Sequence, residues 1–297
     1  MKTAVFCCRL LTSQRARTVI RGMRVIAGLA LLWAIGSIAP ASAQSSKSPF
    51  GIDVSYVAPV DAKYTVVMEA LKARRVLEQL SEFVAPLRLP HAFHLIAREC
   101  HEENAFYTPS EWSLTLCYEL IEEINRDAPK SEQLKEGVTH DDVVLGEVVF
   151  LLLHELGHAA FDMLQVPVFG REEDAADQMA VFLAMQFSPE VARTIVRGDY
   201  YFFNNHGDPT EWSRYADEHG TNSQRLYNGL CWAYGGDPQV FKDFVDQGLL
   251  PKNRANDCGS EYRQISEAFA KTVLPFIDED ARKVVQARDW FKQSNQK

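Results

Sequence analysis

DVVLGEVVFLLLHELGHAAFDML, Asp142 to Leu164, is apolar on nearly every face of a helix. A stretch of this kind is either a membrane span or a helix through the centre of a domain. Glu147, His154, Glu155 and His158 lie inside it, and four polar or ionisable groups would be expensive in lipid. The stretch therefore reads as a buried central helix in which each polar group needs a reason. Thr139, with Asp142 three residues on, offers it an amino-terminal capping arrangement.

Working outward, a turn containing Pro167 and Gly170 leads into a second helix from about Arg171 to Phe187. Upstream, Val54 to Ala58 and Ala92 to Ala97 read as short strands, with one helix over Tyr64 to Leu87 between them. Asn104 to Tyr107 and Leu114 to Cys117, joined through Thr108-Pro109-Ser110, read as a hairpin that leads into a helix from Glu119 to Asp127. Pro189 to Phe291 reads as helices broken at Gly207-Asp208-Pro209, at Gly235-Gly236 and at Asn256 to Gly259. The expected class is α+β with helices dominant.

His154-Glu155-Leu156-Gly157-His158 is an HExxH motif. Residues four apart share a helix face about one turn apart, so two imidazoles can grip one ion. Glu155 is turned roughly 100° away, where it can serve as a base toward a metal-activated water instead of ligating the metal. A catalytic zinc ion usually takes three protein ligands. The third is expected from Gly170-Arg171-Glu172-Glu173-Asp174-Ala175-Ala176-Asp177, fifteen residues beyond His158. Glu173 is assigned to the metal, with Glu172 and Asp174 as alternatives. Asp177, one turn on and carried inward by the apolar run Ala175 to Phe187, is assigned to a hydrogen bond with a ligand histidine.

HELGH followed by EDAAD resembles the HExxH plus ExxxD signature of gluzincin metallopeptidases. CHEENAFYTP, CYELIEE, HELGHAAFD and GREEDAADQMA together are similar to a family of exported bacterial proteins of unknown function, classed only as candidate metallopeptidases. The likeness covers most of residues 50 to 290 and implies a zincin-like fold, one Zn2+ per chain and hydrolysis of peptide bonds. It further implies that Asn104, Ala105, Phe106 and Tyr107 form a sheet-edge strand onto which an extended substrate adds. His219 and Arg225, six apart, are similar to a His and Arg element of the CAAX-protease-like branch, with Gly220 where a Pro is usual. The resemblance gives them to the oxyanion of the tetrahedral intermediate. His91, His94, His101, His140 and His206 have no partner at ligand spacing and read as surface or structural residues.

The first 43 residues carry Lys2, Arg9, Arg15, Arg17, Arg21 and Arg24, no acid, an apolar run from Val25 to Ala39, and Ala41-Ser42-Ala43. This is the build of a signal peptide cleaved after Ala43, with Met23 as a second possible start; an uncleaved anchor is the alternative. A Ser-rich leader, residues 44–49, and one metallopeptidase domain, residues 50–297, follow, and the product is expected to be periplasmic or secreted. Loss of six of the 31 basic residues takes the net charge from −9 to −15, which argues against a nucleic-acid partner. Cys100, Cys117, Cys231 and Cys258 remain, and an exported chain is expected to pair them as Cys100 with Cys117 and Cys231 with Cys258. A structural zinc site is the alternative for the four, although no CxxC pair exists. The rival functions are a non-catalytic zinc-binding module with a blocked cleft and a metal-free interaction protein. The expected partner is a peptide or protein substrate, with no membrane span once the signal is removed.

Overall fold

Period-two runs of β-branched and aromatic residues form a four-stranded mixed sheet. Its strands are β1 (Ile52–Tyr56), β2 (Phe93–Arg98), β3 (Ala105–Thr108) and β4 (Ser113–Cys117), in the order β1-β2-β4-β3. β1, β2 and β4 run parallel, and β3 returns antiparallel to β4 at the sheet edge. The computed structural model describes residues 51–130, 134 and 138–291. The expected signal segment, its cleavage after Ala43 and the leader therefore lie outside the described residues.

Helices account for most of the rest: α1 (Thr65–Ala73), α2 (Val76–Val84), α3 (Tyr118–Asp127), α4 (His140–Met163), α5 (Glu172–Ala184), α6 (Pro189–His206), α7 (Asn222–Gly236), α8 (Lys242–Asp246), α9 (Lys252–Thr272) and α10 (Glu279–Gln286). The class is α+β and helix-dominated, as the pattern implies. By length and hydropathy α4 could span a membrane, yet it is buried inside the protein, against β3, β4, α5 and α6. The expected capping box is present: Thr139 Oγ1 accepts from the Asp142 N–H at 3.1 Å, and Asp142 Oδ2 accepts from the Thr139 N–H at 2.9 Å.

β1 begins two residues earlier than expected, and two helix breaks differ from expectation. The single helix over Tyr64 to Leu87 is two, broken at Arg74 and Arg75, where Arg75 adopts φ 52°. A straight helix would put buried Met68 and Leu71 on the side opposite Val76, Leu77, Leu80 and Val84. The break lets both groups reach the core. Asn256 to Gly259, expected as a break, lies inside α9. Here tertiary contact overrides weak propensity: the Cys231–Cys258 disulfide joins α7 to α9, and a Cβ on Gly235 would stand 2.1 Å from the Cys258 carbonyl oxygen. The second disulfide, Cys100–Cys117, closes the loop beside the β3–β4 hairpin. Both bridges pair the cysteines as expected and fit an oxidising, extracytoplasmic compartment.

Backbone touches backbone where α4 crosses α6. A Cβ on Gly146 would lie 2.1 Å from the Thr194 carbonyl oxygen, and one on Gly198 2.2 Å from the Glu147 nitrogen. Gly198→Ala is accordingly expected to destabilise the fold by about 1–3 kcal/mol or more, as overpacking does. Denaturant unfolding of the variant beside the parent measures this; equal midpoints would remove the close-crossing account.

Candidate metal centre

One turn of α4 brings His154 and His158 to the same face, and α5 runs back along it after the turn at Pro167 and Gly170. Glu173, in the first turn of α5, then meets both rings. His154 Nε2 lies 3.2 Å from His158 Nε2 and 3.1 Å from Glu173 Oε2, and His158 Nε2 lies 3.3 Å from the same oxygen. Each ring's other nitrogen faces a carboxylate: His154 Nδ1 is 2.8 Å from Asp177 Oδ1, and His158 Nδ1 is 2.8 Å from Glu172 Oε1. Those contacts assign the protons to Nδ1 and leave both Nε2 lone pairs turned toward each other and toward Glu173. Three electron-rich atoms facing one point suit a cation. Ligands bound tetrahedrally at about 2.0–2.1 Å lie about 3.3 Å apart, close to the separations found here, so the donor set fits a metal ion.

The surrounding electrostatics hold this arrangement in place. Burial pushes the Asp177 carboxyl up, but the Arg225 guanidinium and His154 outweigh it and hold it at about 2. Burial likewise raises Glu173, and the three histidines around it hold it well below the usual carboxylate range. Arg225 donates from Nε to Asp177 Oδ2 at 2.8 Å and from Nη2 to Oδ1 at 2.7 Å, while its guanidinium carbon stacks 4.5 Å from the Phe203 ring centre. The expectation that Arg225 would serve an oxyanion is corrected by this geometry. Its fork is spent on Asp177, on the far side of His154 from the metal-facing nitrogen.

Glu155 and His219 face the centre from other directions. Glu155 Oε2 accepts from the Tyr107 backbone N–H at 2.8 Å, and Oε1 lies 4.0 Å from His154 Nε2. Burial raises its pKa, partly offset by the two histidines. His219 Nε2 lies 2.9 Å from Glu173 Oε2, with Nδ1 2.9 Å from Asp217 Oδ1. Tyr107 is tied to α4 a second time, its hydroxyl donating to Asp162 Oδ2 at 2.8 Å.

Asn104 O accepts from the Cys117 N–H, so by antiparallel alternation the backbone groups of Ala105 and Tyr107 turn outward, toward the cleft. Phe106 pairs inward with Thr115. Sequence reasoning missed the partners Glu172 for His158, Asp217 for His219 and the Tyr107 N–H for Glu155. A backbone donor leaves no signal in residue type; Asp217 was visible only as an acid two residues before His219, and Glu172 only as the neighbour of Glu173, fourteen residues from His158.

The family model described as "Putative metallopeptidase" matches residues 56–273; the chain belongs to that family, and the match takes in every residue of this centre. No curated protein and no solved structure matches the chain. Membership implies a metal ion, and the candidate groups that could hold one here draw on His154, Glu155, His158, Glu173 and His219.

Behind Arg225 sit two further acids, Glu147 on α4 and Asp199 on α6, both buried, with Glu147 Oε1 and Oε2 and Asp199 Oδ1 lacking hydrogen-bond partners. Burial pushes Glu147 up to about 8, Arg225 opposing, and raises Asp199 well above the carboxylate range. A carboxyl that keeps its proton when folded and loses it near 4.5 when unfolded makes stability fall as pH rises from about 4.5 to about 8. Glu147→Gln removes that dependence. With chelator present, its melting temperature should gain on the parent as pH goes from 5 to 8.5, and a pH-independent difference would contradict the buried proton.

Proposed function

We propose that this chain is a zinc peptidase of the gluzincin type, acting on peptides or proteins outside the cytoplasm. Residues 50–297 form its catalytic domain after a signal peptide, residues 1–43, is removed, and the product is periplasmic or secreted. The observation that carries the reading is the convergence of two imidazole lone pairs and one carboxylate oxygen, 3.1–3.3 Å apart, with Glu155 beside them. Two imidazoles and a carboxylate are a common catalytic zinc set.

When bound, zinc supplies Lewis acidity that lets a water ionise near neutral pH. The chain's own residues do the rest. Glu155 takes the proton of the attacking water and returns it to the leaving amine, and the Tyr107 N–H fixes the carboxylate's orientation for both transfers. His219, oriented by Asp217, donates to the oxygen on which charge develops in the tetrahedral intermediate. The Ala105 backbone groups and the Tyr107 carbonyl hold the substrate backbone extended along the sheet edge, which gives binding with little sequence choice. Arg225 and Asp177 act through His154, keeping its Nδ1 protonated and its lone pair on the metal. The acidic surface makes a nucleic-acid substrate unfavourable.

Two measurements test this. The mature chain should carry a zinc ion removed by Glu173→Ala, and Glu155→Gln should abolish peptide cleavage while that zinc stays bound. Cleavage surviving in Glu155→Gln would end the mechanism, and zinc without cleavage by the parent would leave a binding module. His219→Ala should lower kcat roughly 10²–10³-fold with zinc retained, the loss typical of one oxyanion donor; unchanged turnover would take that role away.

A further inference from the structure

Glu123 and Asp127, one turn apart on α3, share a face that looks onto His206, the last residue of α6. The His206 Nδ1 lies 2.8 Å from the Phe202 carbonyl oxygen, which places the proton on that nitrogen. Its Nε2 lone pair is left 3.5 Å from Asp127 Oδ2 and 3.7 Å from Glu123 Oε1. Three ligand-type atoms thus lie within 4.8 Å of one another, all electron-rich, at contacts too long for hydrogen bonds.

Arg126 answers part of this charge. It makes two bonds to Asp127, at 2.8 and 3.1 Å, and reaches Glu123 at 3.8 Å and Glu103 at 3.7 Å. One cation against Glu103, Glu123 and Asp127 leaves an excess of negative charge. The guanidinium is more than half exposed.

A buried acid borders the same cavity. Glu147 is fully buried, neither of its carboxyl oxygens has a partner, and it lines the same small cavity as Asp127 and His206. That cavity measures about 10 Å³, near the size that admits one water-sized species. Buried polar groups without partners are rare in native proteins and mark a missing water or ion.

We propose that His206, Glu123 and Asp127, the first and last bordering the small cavity that Glu147 also lines, form a second divalent-cation site at the junction of α3, α4 and α6. One imidazole with carboxylates favours a first-row transition ion such as Zn2+ over Ca2+ or Mg2+, which prefer all-oxygen sets. The Phe202 carbonyl is the outer partner that fixes the ligand tautomer. Gly207, which follows His206 at φ 59°, opens the segment that carries His219 to Glu173. An ion on His206 therefore anchors the root of that segment. The site stands on its own residues and does not need the chain to be a peptidase.

Equilibrium dialysis of the mature chain against Zn2+, with metal analysis, tests the proposal. The parent should take up two ions per chain at saturation. His206→Ala should lose one, and His158→Ala should lose the other. Asp127→Asn, which keeps the shape, should weaken the His206-dependent ion at least about 10-fold, on the scale seen when a ligand or its support is altered. Melting curves of metal-free variants confirm that each is folded. Uptake that His206→Ala leaves unchanged, or a parent saturating at one ion that only His158→Ala removes, would overturn the second site. A parent whose only ion depends on His206 would support it and sink the peptidase reading instead.

Discussion

Burying ionisable groups along α4 imposes a demand that the neighbouring elements meet. An imidazole without water around it needs a fixed partner on each nitrogen, and for His154 that partner at Nδ1 is Asp177, itself too deep to stay charged alone. Arg225 neutralises Asp177 through two bonds and is in turn covered by the Phe203 ring. One compensation chain thus passes through α4, α5, α7 and α6. Glu155 and Asp162 extend it to the sheet through the two bonds of Tyr107. Breaking a buried ion pair by removing one partner costs several kcal/mol, so the set acts as a unit.

Close packing makes that chain short enough to work. Glycines at 146 and 198 let α4 and α6 touch backbone to backbone, and the adjacent residues Glu147 and Asp199 are carried into the same interface. Gly229 leaves room for Asp199: a Cβ there would stand 2.9 Å from Oδ2. The two acids lie near Arg225, whose charge is kept chiefly by Asp177. The centre is thereby backed by a buried acidic layer as well as by apolar core, in an arrangement where a proton or a cation has a definite place to sit.

On its open side the centre lies between two unlike walls. β3 offers outward backbone groups from Ala105 and Tyr107, while the 207–221 segment offers side chains. His219 and Asp217 from that segment line a polar cavity of about 700 Å³ shared with Arg171 and Gln224. Trp212 stands 87% exposed on the same segment.

Much of the centre was legible along the chain. His154 and His158 four apart, Thr139 and Asp142 at the capping spacing, and Glu173 with Asp177 on one helical turn are decided within one or two turns, where helical geometry fixes which side chains face together. Cysteine pairing followed from an even number and short local loops. What the sequence could not fix was how the helices cross. That crossing spent Arg225 on Asp177, held α9 straight through Asn256 to Gly259, broke the helix at Arg75 and set His206 opposite Glu123 and Asp127. Each depends on contacts between residues tens of positions apart, whose closeness is set by glycine-lined backbone approach and by shared burial. Local pattern determined which groups were available; packing alone decided which of them meet.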